Sequence, residues 1–234
     1  MSDIEKGSSG PVHATSPHDG LRNGNRDDVA YRLSPTSPVK NTIANPASLG
    51  LFSFASTTLI LSLYNTNARG IHTPNIVIGM ALFCGGLAQF LAGMWEFPKG
   101  NTFGATAFTS YGAFWLSYAT IFIPGSGVSA AYTNSGEMKD AVAIYLMTWM
   151  VVTFLLFIVA LRKSISFIVL FGLLTITFLL LGAADFTRNT SLTKAGGGFG
   201  IATALVAYYI GLSELLTAEK KAVFQLPLGA FKHD

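Results

Sequence analysis

The sequence predicts an all-α integral membrane protein, and its composition is the first reason. Hydrophobic residues make up 50% of the 234 residues and charged residues only 12%, whereas a soluble domain carries about a quarter charged residues. A soluble fold of this length needs a polar exterior that so few charged residues cannot supply. The second reason is a series of six apolar stretches, each close to the roughly 20 residues that cross a bilayer. These observations exclude a soluble enzyme.

The chain begins with a polar segment, residues 1–44, rich in Ser, Pro, Gly, Asn and Asp. Such a composition cannot bury enough apolar surface to offset the entropy lost on ordering, so it predicts a disordered cytosolic tail. No apolar run lies near its start, which argues against a secretory signal.

The apolar stretches follow this tail and define a predicted membrane domain over residues 45–218. Turn or charge signals separate them, and their length favours helices because outer-membrane strands are about half as long. The sequence predicts membrane-spanning helices at about 46–65, 75–97, 103–123, 141–161, 165–184 and 197–217. Residues 219–234 are predicted to form a cytosolic C-terminal tail.

The distribution of Lys and Arg predicts the orientation. With the N-terminus inside, only Arg69, Lys139, Arg188 and Lys194 of the 15 basic residues fall in outer loops. Because basic residues accumulate on the cytosolic side, both termini are predicted to be cytosolic. The basic residues are too scattered to form a nucleic-acid-binding face, so membrane lipid is the expected environment and nucleic acid is not an expected partner.

Metal, cofactor and catalytic patterns are missing from the sequence. The single cysteine, Cys84, lies inside an apolar stretch, and no predicted span contains a histidine, since His72 lies in a loop and the other three lie in the tails. Hydrolase and phosphate-binding motifs are also absent. The sequence therefore predicts a protein that is not an enzyme and has no metal site or cofactor.

Polar residues within the predicted spans are candidates for function, because a bilayer tolerates them only when they are paired or hydrated. Gln89 lies in the middle of the second span, and either an interhelical hydrogen bond or a substrate path explains it. Glu96 ends that span and Glu214 lies late in the sixth; each is a candidate proton relay or structural acid, and Lys99 favours a structural role for Glu96. Asn45 is a good helix N-cap before a proline.

The third span has the most hydroxyl groups, which together could line a narrow hydrated path. They belong to Thr102, Thr106, Thr109, Ser110, Tyr111, Ser117, Tyr118 and Thr120. Glycines are also frequent, and Gly196 and Gly200 have the spacing that lets helix backbones approach closely.

Two motifs resemble the acetate uptake transporter family, the fungal and bacterial acetate and succinate permeases. Residues 45–51, Asn-Pro-Ala-Ser-Leu-Gly-Leu, are similar to its Asn-Pro-Ala-Pro-Leu-Gly-Leu signature, with Ser48 in place of the second proline. A longer block runs from Gly85 through Gln89 and Gly93 to Trp115, and residues 211–214 are a weaker match. The long polar N-terminal segment is typical of fungal members.

The resemblance implies six membrane-spanning helices per protomer, a ring-shaped homo-hexamer and a substrate path through each protomer. It also implies a Phe-Tyr-Leu constriction, which falls on Phe54, Tyr111 and Leu174, with Leu173 and Leu170 as alternatives to Leu174. The expected function is transport of acetate and related short carboxylates such as succinate and lactate, channel-like or proton-coupled, across the plasma membrane.

Acetate is almost fully ionised at neutral pH and pays a large desolvation penalty in hydrocarbon, so a path needs neutral hydrogen-bond donors. The predicted substrate-binding residues, taken from the motifs and the third span, are Asn45, Leu49, Gln89, Asn101, Thr102, Thr106 and Thr109. Two alternatives are a membrane sensor that regulates an acetate or ammonia response and an ammonia exporter.

Overall fold

The computed structural model describes residues 43–219 and 221–231, and most of them are helical. Residues 1–42, most of the predicted disordered tail, lie outside the described residues. The long helices are α1 (Ala47–Asn65), α2 (Ile76–Glu96), α3 (Thr102–Phe122), α4 (Ser135–Ala160), α5 (Ile165–Thr187) and α6 (Thr190–Ala218). Short 3₁₀ turns at Ala68–Gly70, Pro124–Ser126 and Ser129–Ala131 lie in the connections.

Five of these helices, α1, α2, α4, α5 and α6, are long and apolar enough to cross a membrane. The prediction of an all-α chain with several apolar membrane helices is therefore confirmed. The helix α3 has 21 residues, enough to cross the bilayer at 1.5 Å per residue, but its hydroxyl groups make it less apolar. A sixth crossing stays a prediction.

Two helices begin well before the apolar stretches that predict them. The helix α4 begins at Ser135 and α6 begins at Thr190, about two turns ahead of the predicted starts. Asparagine caps explain both extensions, because the side-chain oxygens of Asn134 and Asn189 accept hydrogen bonds from the N–H groups of Gly136 (2.8 Å) and Ser191 (2.9 Å). Polar first turns thus project beyond the apolar segments.

The helix α2 contains a π-helical stretch over Met80–Ala88. The Thr57 hydroxyl of α1 donates to the Ser53 carbonyl at 3.0 Å and lies 3.4 Å from the Met80 carbonyl at the start of this stretch. A side chain at Gly85 would lie 2.7 Å from both Thr57 and Trp115. Only glycine allows α1, α2 and α3 to approach each other this closely.

Glycines also bring α6 against its neighbours. Gly196 contacts Leu181 of α5, and Gly200 contacts Ser62 of α1, so α6 packs between α5 and α1. The helix α4 packs on α5, and α3 packs on α2, where a side chain at Gly112 would meet the Phe90 backbone at 2.7 Å. The predicted role of Gly196 and Gly200 in close helix packing is seen within a single chain.

The helices α3 and α4 meet through side chains. The Tyr111 hydroxyl donates to the Thr153 hydroxyl oxygen at 2.9 Å, and the Phe114 and Trp149 rings contact edge to face with centroids 5.1 Å apart. Space remains between α1, α3, α4 and α5, and the candidate site occupies it.

The described C-terminal residues 226–231 form an extended segment across the ends of α5 and α6, which we call the C-terminal strap. Its carbonyl groups accept hydrogen bonds from the N–H groups of Ile165 (3.0 Å) and Ser166 (3.2 Å) at the start of α5. They also accept from the hydroxyls of Tyr209 (2.7 Å) and Ser213 (3.0 Å) on α6. The predicted C-terminal tail therefore includes an anchored segment.

Candidate functional site: two cavities joined at an aromatic collar

A large cavity of about 390 Å³ opens at one end of the helices, which we call the Asp185 end. The opposite end, where α2 finishes and α3 begins, is called the Glu96 end. Most of the cavity wall is aromatic or aliphatic, with polar groups near the opening. Its lining residues are Phe54, Thr58, Leu61, Ser62, Asn65, Tyr111, Phe114, Trp115, Tyr118, Phe122, Ser135, Met138, Lys139, Val142, Leu146, Leu174, Thr177, Phe178, Leu181, Asp185 and Thr193.

A second, much smaller cavity of about 20 Å³ lies nearer the Glu96 end. Its wall consists of Leu51, Phe54, Gln89, Phe108, Tyr111, Phe167, Leu170, Phe171 and Leu174. Among the described residues, Phe54, Tyr111 and Leu174 line both cavities. We call these three residues the collar.

The collar side chains are packed against one another and buried. The rings of Phe54 and Tyr111 have centroids 5.5 Å apart, and each collar residue is 5% exposed or less. The Tyr111 hydroxyl is held by Thr153. Of the three leucines considered for helix five, Leu174 lines both cavities, Leu170 lines only the small one and Leu173 lines neither.

Gln89 is the polar residue of the small cavity. Its side chain is fully buried, and neither its carboxamide oxygen nor its nitrogen has a hydrogen-bond partner among the described residues. Burying an amide without a partner costs about 1–3 kcal/mol by mutational measures. The wall of the small cavity is apolar, so the Gln89 carboxamide must turn toward the cavity before it can meet a carboxylate.

A hydrogen-bonded network closes the Glu96 end. The Asn45 carboxamide donates to Glu214 Oε2 at 2.7 Å, and its oxygen accepts from Lys99 Nζ at 2.6 Å and from the Ala47 N–H at 3.1 Å. The helix N-terminus of α1 is thus capped by Asn45, as the sequence predicts. The network joins the start of α1 to the end of α6 and to the α2–α3 turn.

Glu96 continues this network into the protein. Its Oε2 atom accepts from Asn101 Nδ2 at 2.9 Å and lies 3.9 Å from Lys99 Nζ. The side chain is 0% exposed, and Oε1 has no partner among the described residues. Asn101 in turn accepts from the Gly104 N–H at 3.1 Å, which caps α3. Glu96 therefore fixes the turn between α2 and α3.

Several predicted binding residues lie away from both cavities. Leu49 is 50% exposed, and Thr102 and Thr106 lie on the exposed face of α3. Thr109 of α3 packs against Gly93 of α2. The cavity face of α3 consists of aromatic residues, of which Tyr111 and Tyr118 carry two of the predicted hydroxyl groups. The Ser and Thr hydroxyls of this helix do not line either cavity.

Other residues of the cavity wall were not singled out by the sequence patterns. The buried Thr58 hydroxyl and Trp115 indole N–H have no hydrogen-bond partner among the described residues. Lys139 and Asp185 line the cavity near its opening, although both lie just outside the predicted membrane spans in the sequence. Their position within a turn of two apolar stretches was the available signal. Within residues 43–219 and 221–231, no cluster of metal-ligating side chains is found.

The chain is similar to a known protein family in sequence and to a solved structure in fold. The sequence profile of the GPR1/FUN34/yaaH family matches residues 30–232. Ammonia transport outward protein 2 of Saccharomyces cerevisiae is 42% identical over 203 residues, 86% of this chain and 71% of the yeast protein. The succinate-acetate/proton symporter SatP of Escherichia coli K12 is 36% identical over 188 residues, 80% of this chain and 96% of the bacterial one. The solved structure of the bacterial acetate channel SatP matches with a TM-score of 0.72 and 35% identity, covering 80% of this chain and all of the other.

Proposed function

The chain belongs to the GPR1/FUN34/yaaH family, and from this premise we propose that it transports acetate across a membrane through its two cavities and the collar. The observation that carries the proposal is that Phe54, Tyr111 and Leu174 line both cavities. A substrate that passes from one cavity to the other must cross this collar. The names of the SatP relatives support acetate as the substrate and add succinate to the candidate range.

The collar suits a small, partly apolar anion. Acetate presents a methyl group to aromatic and aliphatic side chains, while larger or hydrated solutes meet a closed ring. Beyond the collar, the Gln89 carboxamide is a neutral donor for the carboxylate. Neutral donors bind an anion without holding it as tightly as a cation would, which conduction requires.

The polar network at the Glu96 end has a structural role in this proposal. Glu214 is committed to Asn45, and Glu96 to Asn101 and Lys99. These contacts hold four helix ends together at the narrow side of the path. Opening that side for substrate release requires some of them to change, so we expect variants of the network to alter the transport rate.

The membrane arrangement is part of the proposal. We propose that α3 makes a sixth crossing, with the Asp185 end outside the cell and both termini in the cytosol. The basic residue distribution supports this orientation. Protease applied to intact cells should then spare tags at both termini, and cleavage of either tag would contradict it.

We further propose a plasma-membrane location and a homo-hexameric assembly. Large apolar side chains such as Phe83, Trp95 and Phe154 are at least 47% exposed in the single chain, which leaves surface for lipid and for neighbouring protomers. Native mass spectrometry in mild detergent and in nanodiscs tests the assembly. Monomers or dimers alone would contradict it.

Labelled acetate flux into proteoliposomes that contain only this protein is the direct test. Saturable uptake above empty liposomes is expected, and its absence with folded protein would contradict transport and favour a sensor. Uptake measured with an imposed proton gradient and without one distinguishes proton symport from a channel.

Ammonia export is the second candidate, because a relative 42% identical carries that name. An aromatic collar would pass a neutral molecule, but the described membrane helices contain no histidine to take the proton from ammonium; His72 lies in a loop. Liposomes that alkalinise faster in an ammonium gradient, with no acetate flux, would favour this alternative.

A further inference from the structure

The opening of the large cavity carries charge, and its interior does not. Among the residues that line the cavity, Lys139 on α4 and Asp185 on α5 are the charged ones. The wall between them and the collar is made largely of residues such as Phe114, Leu146 and Phe178. An ion that enters therefore meets both charges at the opening and none deeper in the cavity.

Lys139 is free to meet an incoming anion. It is exposed, and within the described residues its ammonium group takes part in no hydrogen bond or ion pair. Its charge does act on the Asp185 carboxylate, but the two groups form no direct ion pair within 4.0 Å. Asp185 is half-buried and lines the same cavity as Lys139.

The charge of Arg188 also acts on the Asp185 carboxylate, but the direct contacts of its guanidinium go to other groups. The Arg188 guanidinium lies 2.7 Å from Asp140 and donates to the Gly136 carbonyl at 2.9 Å. These contacts tie the first turns of α4 to the end of α5, so they hold Lys139 and Asp185 at one opening. Glu137 and Lys194 are exposed and do not line the cavity.

We propose that Lys139 and Asp185 form a charge filter at the opening of the large cavity, which takes monocarboxylate anions and discriminates against dicarboxylate dianions. The proposal rests on the proposed transport function and names its substrate class. A single carboxylate pairs with Lys139 while its apolar part enters the cavity. A dianion must place its second carboxylate against Asp185 or against an apolar wall without a cation, and both placements are unfavourable. The acid thus provides repulsion against the wrong substrate.

The experiment compares succinate with monomethyl succinate in proteoliposomes at neutral pH. The two have the same carbon chain, and the ester carries one negative charge while succinate carries two, so the comparison separates charge from size. Acetate flux is measured alongside. The variants are Asp185→Asn and Lys139→Gln, and Lys194→Gln is the matched control for a basic residue at the same end that lies outside the cavity.

The expected result is a preference of the wild type for monomethyl succinate over succinate that falls about threefold to tenfold in Asp185→Asn, with both fluxes expressed relative to the acetate flux of the same variant. In Lys139→Gln, the apparent KM for acetate should rise about threefold or more and lose its dependence on ionic strength. Lys194→Gln should behave as the wild type. If Asp185→Asn does not fold, Asp185→Ser replaces it, and inhibition of acetate uptake by succinate gives the same readout.

An unchanged ester preference in a folded Asp185 variant would overturn the filter, as would equal effects of Lys139→Gln and Lys194→Gln. Both results are read against wild-type acetate flux. Absence of that flux would instead refute the proposed function, so the two failures are distinguishable.

Discussion

The two ends of the helix bundle differ in cavity volume and in the polar contacts between their helices. At the Asp185 end, a cavity of about 390 Å³ is open, largely apolar and carries two charged residues at its opening. At the Glu96 end, the second cavity has a volume of only about 20 Å³, and a hydrogen-bonded network joins the helix ends. The two sides of the collar therefore differ in cavity volume and in the polar contacts between the helix ends. We therefore expect substrate passage at the Glu96 end to require rearrangement of the hydrogen-bonded network.

The largest expected effect comes from removing the buried carboxylate of that end. Glu96→Ala removes the acceptor of the Asn101 Nδ2 hydrogen bond, while Lys99 keeps its bond to Asn45. Because a hydrogen bond to a charged group is lost, the variant should lower the free energy of unfolding by about 2 kcal/mol. The thermal midpoint in detergent measures this. Glu219→Ala, which removes an exposed carboxylate near the same end, is the control and should leave the midpoint in place. Equal midpoints for the two variants would mean that the network does not hold the closed end.

Gln89→Leu tests the small cavity, where stability and transport should change in opposite directions. Removing two unpartnered polar atoms from a buried site should leave stability equal or higher. Loss of one hydrogen bond to the carboxylate should lower acetate flux about tenfold. Gln225→Leu, on an exposed residue, is the control. Full flux in a folded Gln89→Leu variant would remove Gln89 from the path.

The collar lies between the two cavities, so shortening its side chains should widen the passage from one cavity to the other. Phe54→Ala and Leu174→Ala should raise the flux of lactate relative to acetate about threefold or more at normal expression, because the ring widens. Phe52→Ala and Leu173→Ala are matched controls, since these neighbours line neither cavity. If the controls change the ratio as much as the collar variants, the selectivity does not come from the collar.

The smallest expected effect is that of Tyr111→Phe. Its hydroxyl already donates to Thr153, so its loss should cost about 1 kcal/mol of stability. The apparent affinity for acetate should then stay within about twofold, as expected when no hydrogen bond to the substrate is removed. Tyr118→Phe, in the wall of the large cavity, is the control for a tyrosine away from the collar. A strong loss of affinity in Tyr111→Phe alone would show that this hydroxyl turns to the substrate.

The sequence predicts the helices well because their signal is local. An apolar run of about 20 residues indicates a membrane helix wherever it occurs, and the bounds of α1 and α2 differ from the predicted ones by one residue at most ends. The starts of α4 and α6 differ by more, since asparagine caps extend a helix into polar residues that a search for apolar runs leaves out.

The site was less predictable because its contacts are remote in the sequence. Asn45 and Glu214 are 169 positions apart, and composition gives no reason to pair them. On α3, hydroxyl groups surround the helix, so polarity did not indicate which face meets the cavity. The collar residues came from a family resemblance, since a phenylalanine in a membrane helix is ordinarily packing or lipid contact.

The C-terminal strap has a consequence for how the chain is made. The first N–H groups of α5 have no partner within their own helix, and those of Ile165 and Ser166 find theirs on strap carbonyls more than sixty residues downstream. A ribosome therefore delivers α5 to the bilayer long before its start can be completed. Truncation before residue 226 should leave that start open however well the helices insert, whereas a tag added after residue 234 leaves the strap free to bind. Completion of the start of α5 thus waits for residues 226–231.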